Sequence, residues 1–133
     1  GSSINGDLMV TDVANSTWRL FGGGLAIQDL LVSADGKELY VADANRAVDI
    51  IDIKSEKVTA SIPLNGGAFG MTLTSNGYLY VSIPDSGTVA VVDPVKARFY
   101  RYILLGGTPR RLATDALDRV IVTNEAGWVD ILH

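Results

Sequence analysis

Five arginines crowd into the last third of the chain, Arg98, Arg101, Arg110, Arg111 and Arg119, although the formal net charge is −4. Guanidinium groups are permanently charged, forked donors suited to carboxylates and phosphates. Two places therefore invite a binding role: the adjacent pair Arg110 and Arg111, and the run Arg98-Phe99-Tyr100-Arg101-Tyr102, in which cations and rings interleave. Such interleaving fits a protein, glycan or nucleic-acid surface. The competing expectation is that Phe99 with Ile103, or Tyr100 with Tyr102, packs against the next structural unit while Arg98 and Arg101 stay solvated.

Acid, base and metal chemistry find less support. Asp12, Asp52 and Asp93 recur at intervals of 40 and 41 and could form a ring of carboxylates. Asp52-Ile53-Lys54-Ser55 and Asp93-Pro94-Val95-Lys96 nevertheless have turn character, which predicts that each Asp accepts backbone N–H bonds. Asp49 and Asp130 interrupt apolar runs and are expected to face solvent or a neighbour's polar groups. Glu38, Glu56 and Glu125 have no spacing that sets one carboxylate opposite another. The one histidine, His133, is the last residue and there is no cysteine. Nucleophilic triads and zinc or haem ligation by this chain therefore lack their donors, and no catalytic residue, metal ligand or cofactor is assigned.

The elements that must position the arginines emerge when the chain is read against itself. Leu39-Tyr40-Val41-Ala42, Leu79-Tyr80-Val81-Ser82 and Val120-Ile121-Val122-Thr123 repeat at intervals of 40 and 41. Val48-Asp49-Ile50-Ile51-Asp52, Val89-Ala90-Val91-Val92-Asp93 and Val129-Asp130-Ile131-Leu132-His133 follow the same beat, with Leu8-Met9-Val10-Thr11-Asp12 ahead of them. Ser33-Ala34-Asp35-Gly36 and Thr74-Ser75-Asn76-Gly77 read as tight turns. The third copy, Asp115-Ala116-Leu117-Asp118, lacks Gly and reads as one residue longer, which predicts a different turn. Gly66-Gly67 and Gly106-Gly107 recur, with Gly22-Gly23-Gly24 in a similar place.

The runs are short, β-branched and bounded by turn residues, and no window carries a helical apolar stripe. Four strands in about forty residues is a propeller blade. The chain is thus expected to be all-β, built of β-propeller repeats of four antiparallel strands. It begins with third and fourth strands (Asp7 to Val13, Thr17 to Phe21). Two complete blades follow, about Ala26 to Pro63 and Phe69 to Leu105, and then three strands of another. Residues 1–5 read as a leader opening on the Gly1-Ser2 scar of a cleaved tag. Residues 6–133 form one domain with units starting near 6, 47, 87 and 127.

Composition agrees. The 133 residues are 47% hydrophobic and 20% charged, enough for a continuous core. No apolar run approaches the ~18 residues of a membrane helix, so no membrane insertion is expected. The net charge and a pI near 4.7 oppose nucleic-acid binding by the chain as a whole. About three blades leave two sheet faces uncovered, since propellers close with roughly four to eight blades. Completion is expected through self-association, a complementary propeller chain, or the rest of a longer protein. Trp18 and Trp128, near the two ends, are candidates for such a seam.

In propellers the loops that lead into the inner strands surround the channel mouth. Here they are Gln28-Asp29, Phe69-Gly70 and Pro109-Arg110-Arg111, unlike one another within a repeating scaffold. Gln28, Asp29, Phe69, Arg110 and Arg111, together with Arg98 and Arg101, are the candidate binding residues for an unknown small ligand or protein.

At these repeats the chain resembles the YVTN family of β-propellers, secreted and surface-layer-like. Ser33-Ala34-Asp35-Gly36, Leu39 to Asp43, Val48 to Asp52, Lys57 to Ile62, Gly106-Gly107-Thr108-Pro109 and Val122-Thr123-Asn124 carry the resemblance. It implies an extracytoplasmic, noncatalytic protein-interaction or ligand-binding scaffold. Related propellers also form parts of cofactor-dependent oxidoreductases and of a metal-dependent lyase, which gives a second expectation. A periplasmic nucleic-acid binder using the Arg-rich third is another.

Overall fold

The computed structural model describes residues 8–12, 17–21 and 25–133. The side-chain roles expected of Asp12 and Trp18, and the run Gly22 to Gly24, lie outside the described residues.

Strands β1 (Leu8–Asp12) and β2 (Thr17–Phe21) form an antiparallel pair. A leading sheet follows from β3 (Ile27–Val32), β4 (Glu38–Asp43), β5 (Ala47–Asp52) and β6 (Lys57–Pro63). A middle sheet contains β7 (Met71–Leu73), β8 (Leu79–Ile83), β9 (Thr88–Asp93) and β10 (Arg98–Leu104). The trailing sheet has β11 (Pro109–Thr114), β12 (Val120–Asn124) and β13 (Trp128–Leu132). Each sheet is a meander in sequence order, and every pairing is antiparallel. The expected all-β, four-stranded repeating units are present, and no sheet closes on itself.

Strand β7 is short and starts two residues after Phe69, where the blade was expected to begin. The Gly70 N–H donates to Ser82 Oγ (2.9 Å) while its carbonyl accepts from Ser82 N (2.8 Å), so the ladder becomes irregular there. A Cβ on Gly70 would collide with the Arg110 carbonyl, so this glycine permits a close approach of the middle and trailing inner segments. Ser82 Oγ also donates to Arg110 O (2.6 Å), and the Thr72 and Thr114 hydroxyls meet at 2.8 Å across the same seam.

Alternation divides each sheet into two faces. Tyr40, Ala42, Val48 and Ile50 of the leading sheet pack against Met71, Leu79, Val81, Ala90 and Val92 of the middle one, forming the main core. Val89 and Tyr80 on the other face of the middle sheet meet Val120, Val122 and Leu112. The face of the leading sheet turned away from the middle one is covered: Val41 and Ile51 are fully buried, with Leu25 and Ile27 packed on them. The outward face of the trailing sheet is open. Val129 and Ile131 are 58% and 50% exposed, whereas Val89 and Val91, one repeat earlier, are 0% and 2%. Trp128 does not pack between sheets either; it is exposed and its indole N–H donates to Asp130 Oδ2 (2.9 Å).

Three details correct or refine the sequence reading. The turn at Asp115 to Asp118 is the same as its two siblings: Asp118 N donates to Asp115 O (3.0 Å) as Gly36 N does to Ser33 O and Gly77 N to Thr74 O. Asp118 takes the left-handed φ of 63° where Gly36 and Gly77 have 75° and 89°. Asp tolerates that region better than most residues, and its carboxylate is used by Ser75 N and Ser75 Oγ, both at 2.9 Å.

Asp49 does not face solvent. It is 4% exposed, and Ser61 Oγ donates to its Oδ1 (2.7 Å) while no described residue donates to Oδ2. Burial, and then the nearby Asp43 carboxylate, push its pKa up to about 7, because only the protonated acid can donate toward Asp43; the Ser61 bond pulls the other way. The turn-capping expectation holds: Asp52 accepts from Ser55 N (2.8 Å) and Asp93 from Val95 N and Lys96 N (both 3.1 Å).

Candidate functional site at the mouth

The segments that lead into the inner strands share one end of the sheets with the turns between second and third strands. Ala44 N donates to Ala26 O (2.8 Å), Ala68 N to Asp43 O (3.2 Å) and Glu125 N to Thr108 O (3.0 Å). Side chains reinforce the arrangement. Asp43 Oδ1 accepts from Ala26 N and Asn45 N, and Asn124 Oδ1 accepts from Thr108 N and Ala126 N, so two copies use the same bridge.

At this end Gln28, Ala44, Arg46, Gly67, Ala68, Phe69, Pro84, Asp85 and Arg110 line a cavity of about 430 Å³, within the range of small-ligand sites. Gln28, Phe69 and Arg110 come from the leading, middle and trailing sheets in turn. The guanidinium carbons of Arg110 and Arg111 lie 4.8 and 4.7 Å from the Phe69 ring centroid, cation–π distances that hold both groups beside the ring. Arg110 Nε is 2.8 Å from Glu125 Oε1, an ion pair by distance without the alignment of a hydrogen bond. A partly exposed pair of this kind contributes little to stability.

Asp29 lies beside this group but does not line the cavity. Its oxygens accept from Leu30 N (2.9 Å) and Met71 N (3.0 Å), which ties the leading inner strand to the middle one. Arg98 lies at the opposite end, with Tyr78, Asp93, Lys96, Phe99 and Tyr100 around a smaller recess of about 280 Å³. Arg101 is exposed on β10. The packing expected for this strand differs in detail, because a bulge between Phe99 and Arg101 leaves Tyr100 out of the ladder. Tyr100 stacks on Tyr78 (5.6 Å between centroids), Phe99 leans on Tyr102 (4.4 Å), and the Tyr102 hydroxyl accepts from Asn65 N (2.8 Å) of the preceding unit, not the next.

Arg46 and Asp85 are the cavity residues that the sequence reading missed. Both sit in second-to-third turns, and the signal was available at Arg46: its siblings at the 41- and 40-residue intervals are Gly87 and Gly127. All three have positive φ (68°, 66° and 116°).

No protein-family model matches the sequence, and no curated protein matches it. Solved structures do. The chain is similar to Kuenenia stuttgartiensis hydrazine synthase, with a TM-score of 0.74 and 21% identity over 84% of this chain and 34% of that one. It is similar to U3-55K, with a TM-score of 0.84 and 14% identity over 98% of this chain and 43% of that one. The WD40 β-propeller domain of Doa1 gives a TM-score of 0.73 and 15% identity over 96% and 46%. The fold is that of β-propeller blades. The chain spans less than half the length of each of these structures, and at such identities the likeness concerns architecture alone.

Proposed function

We propose that this chain is a noncatalytic interaction scaffold whose binding end is the mouth lined by Gln28, Phe69 and Arg110. The observation that carries the reading is convergence: three loops that differ in sequence, each from a different repeat, meet around one cavity, and the Phe69 ring that lines it carries two cations, Arg110 within the lining and Arg111 beside it. Loops on a rigid repeating frame are where binding residues concentrate. The YVTN-type motifs support membership of that family and an extracytoplasmic setting. The test is amide-resolved NMR titration with short peptides of acidic, neutral and basic character. Shifts confined to residues around 28, 69 and 110 are expected; shifts elsewhere, or none with any peptide, would overturn the reading.

The open trailing face favours a second element of the reading: the sheets are completed by another blade-bearing chain or a second copy. Val129 and Ile131 occupy positions that are buried wherever a following sheet exists, and exposed apolar patches of this kind mark interaction sites. Light scattering coupled to size exclusion is expected to give a multiple of 14.1 kDa that falls on dilution. A monomer at every concentration, with no loss of solubility, would remove self-association.

A further inference from the structure

We infer that the mouth recognises a carboxylate group, held by Arg46 and Arg110, which line the cavity, with Arg111 joined to it through the Phe69 ring on which it stacks; the inference rests on the reading of the mouth as the binding end. Three observations support it. The first is backbone strain. Arg46 occupies a left-handed position that its two siblings fill with Gly87 and Gly127. A side chain at such a position is conformationally costly, and strain of this kind concentrates at ligand clamps. Here the side chain retained at that cost lines the cavity.

The second is the way the other two guanidiniums are held. Stacking on Phe69 positions Arg110 and Arg111 without consuming their N–H groups. Among the described residues neither side chain donates an aligned hydrogen bond, and the ion pairs are Arg110 with Glu125 and Arg119 with Asp115. Arg46 and Arg111 therefore have no acidic partner within the described residues. A planar fork with unspent donors matches a carboxylate in bidentate geometry.

The third is the opposing charge. Asp85 lines the same cavity and Glu125 flanks Arg110. Together they disfavour a polyanion such as a phosphate backbone, while one carboxylate fits beside them. The source is either an acidic side chain of a peptide or a free small carboxylate.

The experiment is the NMR titration of the intact chain with a blocked glutamate-containing peptide, its glutamine counterpart, glutarate and a short oligonucleotide. The glutamate peptide is expected to bind about tenfold tighter than the glutamine one, the scale of one charge-assisted contact. Arg111→Gln should weaken the glutamate peptide by about the same factor. Arg46→Gly should weaken it too, while raising the thermal midpoint by relieving the strained turn. Glutarate matching the peptide supports a free carboxylate as the source; the peptide alone binding supports a partner's side chain. Equal binding of the glutamine peptide at the mouth overturns carboxylate recognition and leaves the scaffold reading standing. Tighter binding of the oligonucleotide, or a lower midpoint in Arg46→Gly, also overturns it. No shift at the mouth with any probe overturns both.

Discussion

Ile50 and Ile131 hold equivalent places in the third strands of the leading and trailing sheets, yet one is 2% exposed and the other 50%. Val91, between them in the repeat, is 2% exposed. The residue type and strand position are the same in the two isoleucines, so the difference lies in what stands opposite. The leading sheet is followed by the middle one, whose Leu79, Val81 and Val92 join Ile50 in one core. The trailing sheet has no following sheet within this chain. A repeat protein distributes stability in this way, each unit depending on the interface with its neighbour.

The largest effect should come from breaking the covered side. Ile50→Ala removes a buried side chain among well-packed neighbours and is expected to cost about 2–5 kcal/mol in urea unfolding. In the monomer, at concentrations too low for association, Ile131→Ala should cost under about 1 kcal/mol, as an exposed position does. Equal losses at the two sites in the dilute monomer would mean that the chain itself covers the trailing face and would end the contrast. Gly70→Ala sharpens the same point at the second seam. Its added methyl meets backbone rather than a flexible side chain, so a loss of about 1–3 kcal/mol is expected.

A smaller effect distinguishes the faces by charge. Asp49 lies in the buried leading sheet with its pKa raised from 3.8 to about 7, so the folded state holds its proton more tightly than the unfolded chain. Its contribution is fully present below about pH 4 and is lost as pH rises toward 7. Asp35 is exposed and Asp52 and Asp115 are half-buried, and all three are shifted downward by hydrogen bonds to Ser33, Ser55 and Arg119, so their titration falls below that window. Asp49→Asn should flatten the decline between pH 4 and 7, measured as denaturant midpoint against pH; an unchanged slope would mean that Asp49 is not the group responsible. The smallest effect is a gain. Arg46→Gly should stabilise by about 1 kcal/mol, because glycine carries no penalty in the left-handed region.

Periodicity made much of the fold legible. The interval of 40 to 41, the β-branched runs and the turn residues located most strands to within a residue or two, while the inner strands β3 and β11 were marked only by the residues that enter them and β7 proved shorter. The aspartate caps at Asp52 and Asp93 were readable because their bonds run to backbone two and three residues away. Asp118 was misread because the absence of glycine looked decisive, when Asp can adopt the same φ and gains two bonds from Ser75 of the preceding sheet. The site was legible in part. Divergence among the repeats singled out Gln28, Phe69, Arg110 and Arg111, but Arg46 and Asp85 come from other loops and join them only through the meander.

The sequence by itself determined the repeat, the strand order and the residue types offered at each turn, because these follow from local periodicity and turn chemistry. Only the tertiary structure decided which of two identical isoleucines is buried, which carboxylate loses its water, and which arginines share one ring. Those outcomes depend on what packs opposite a residue, and residues 40 or 80 positions away supply it.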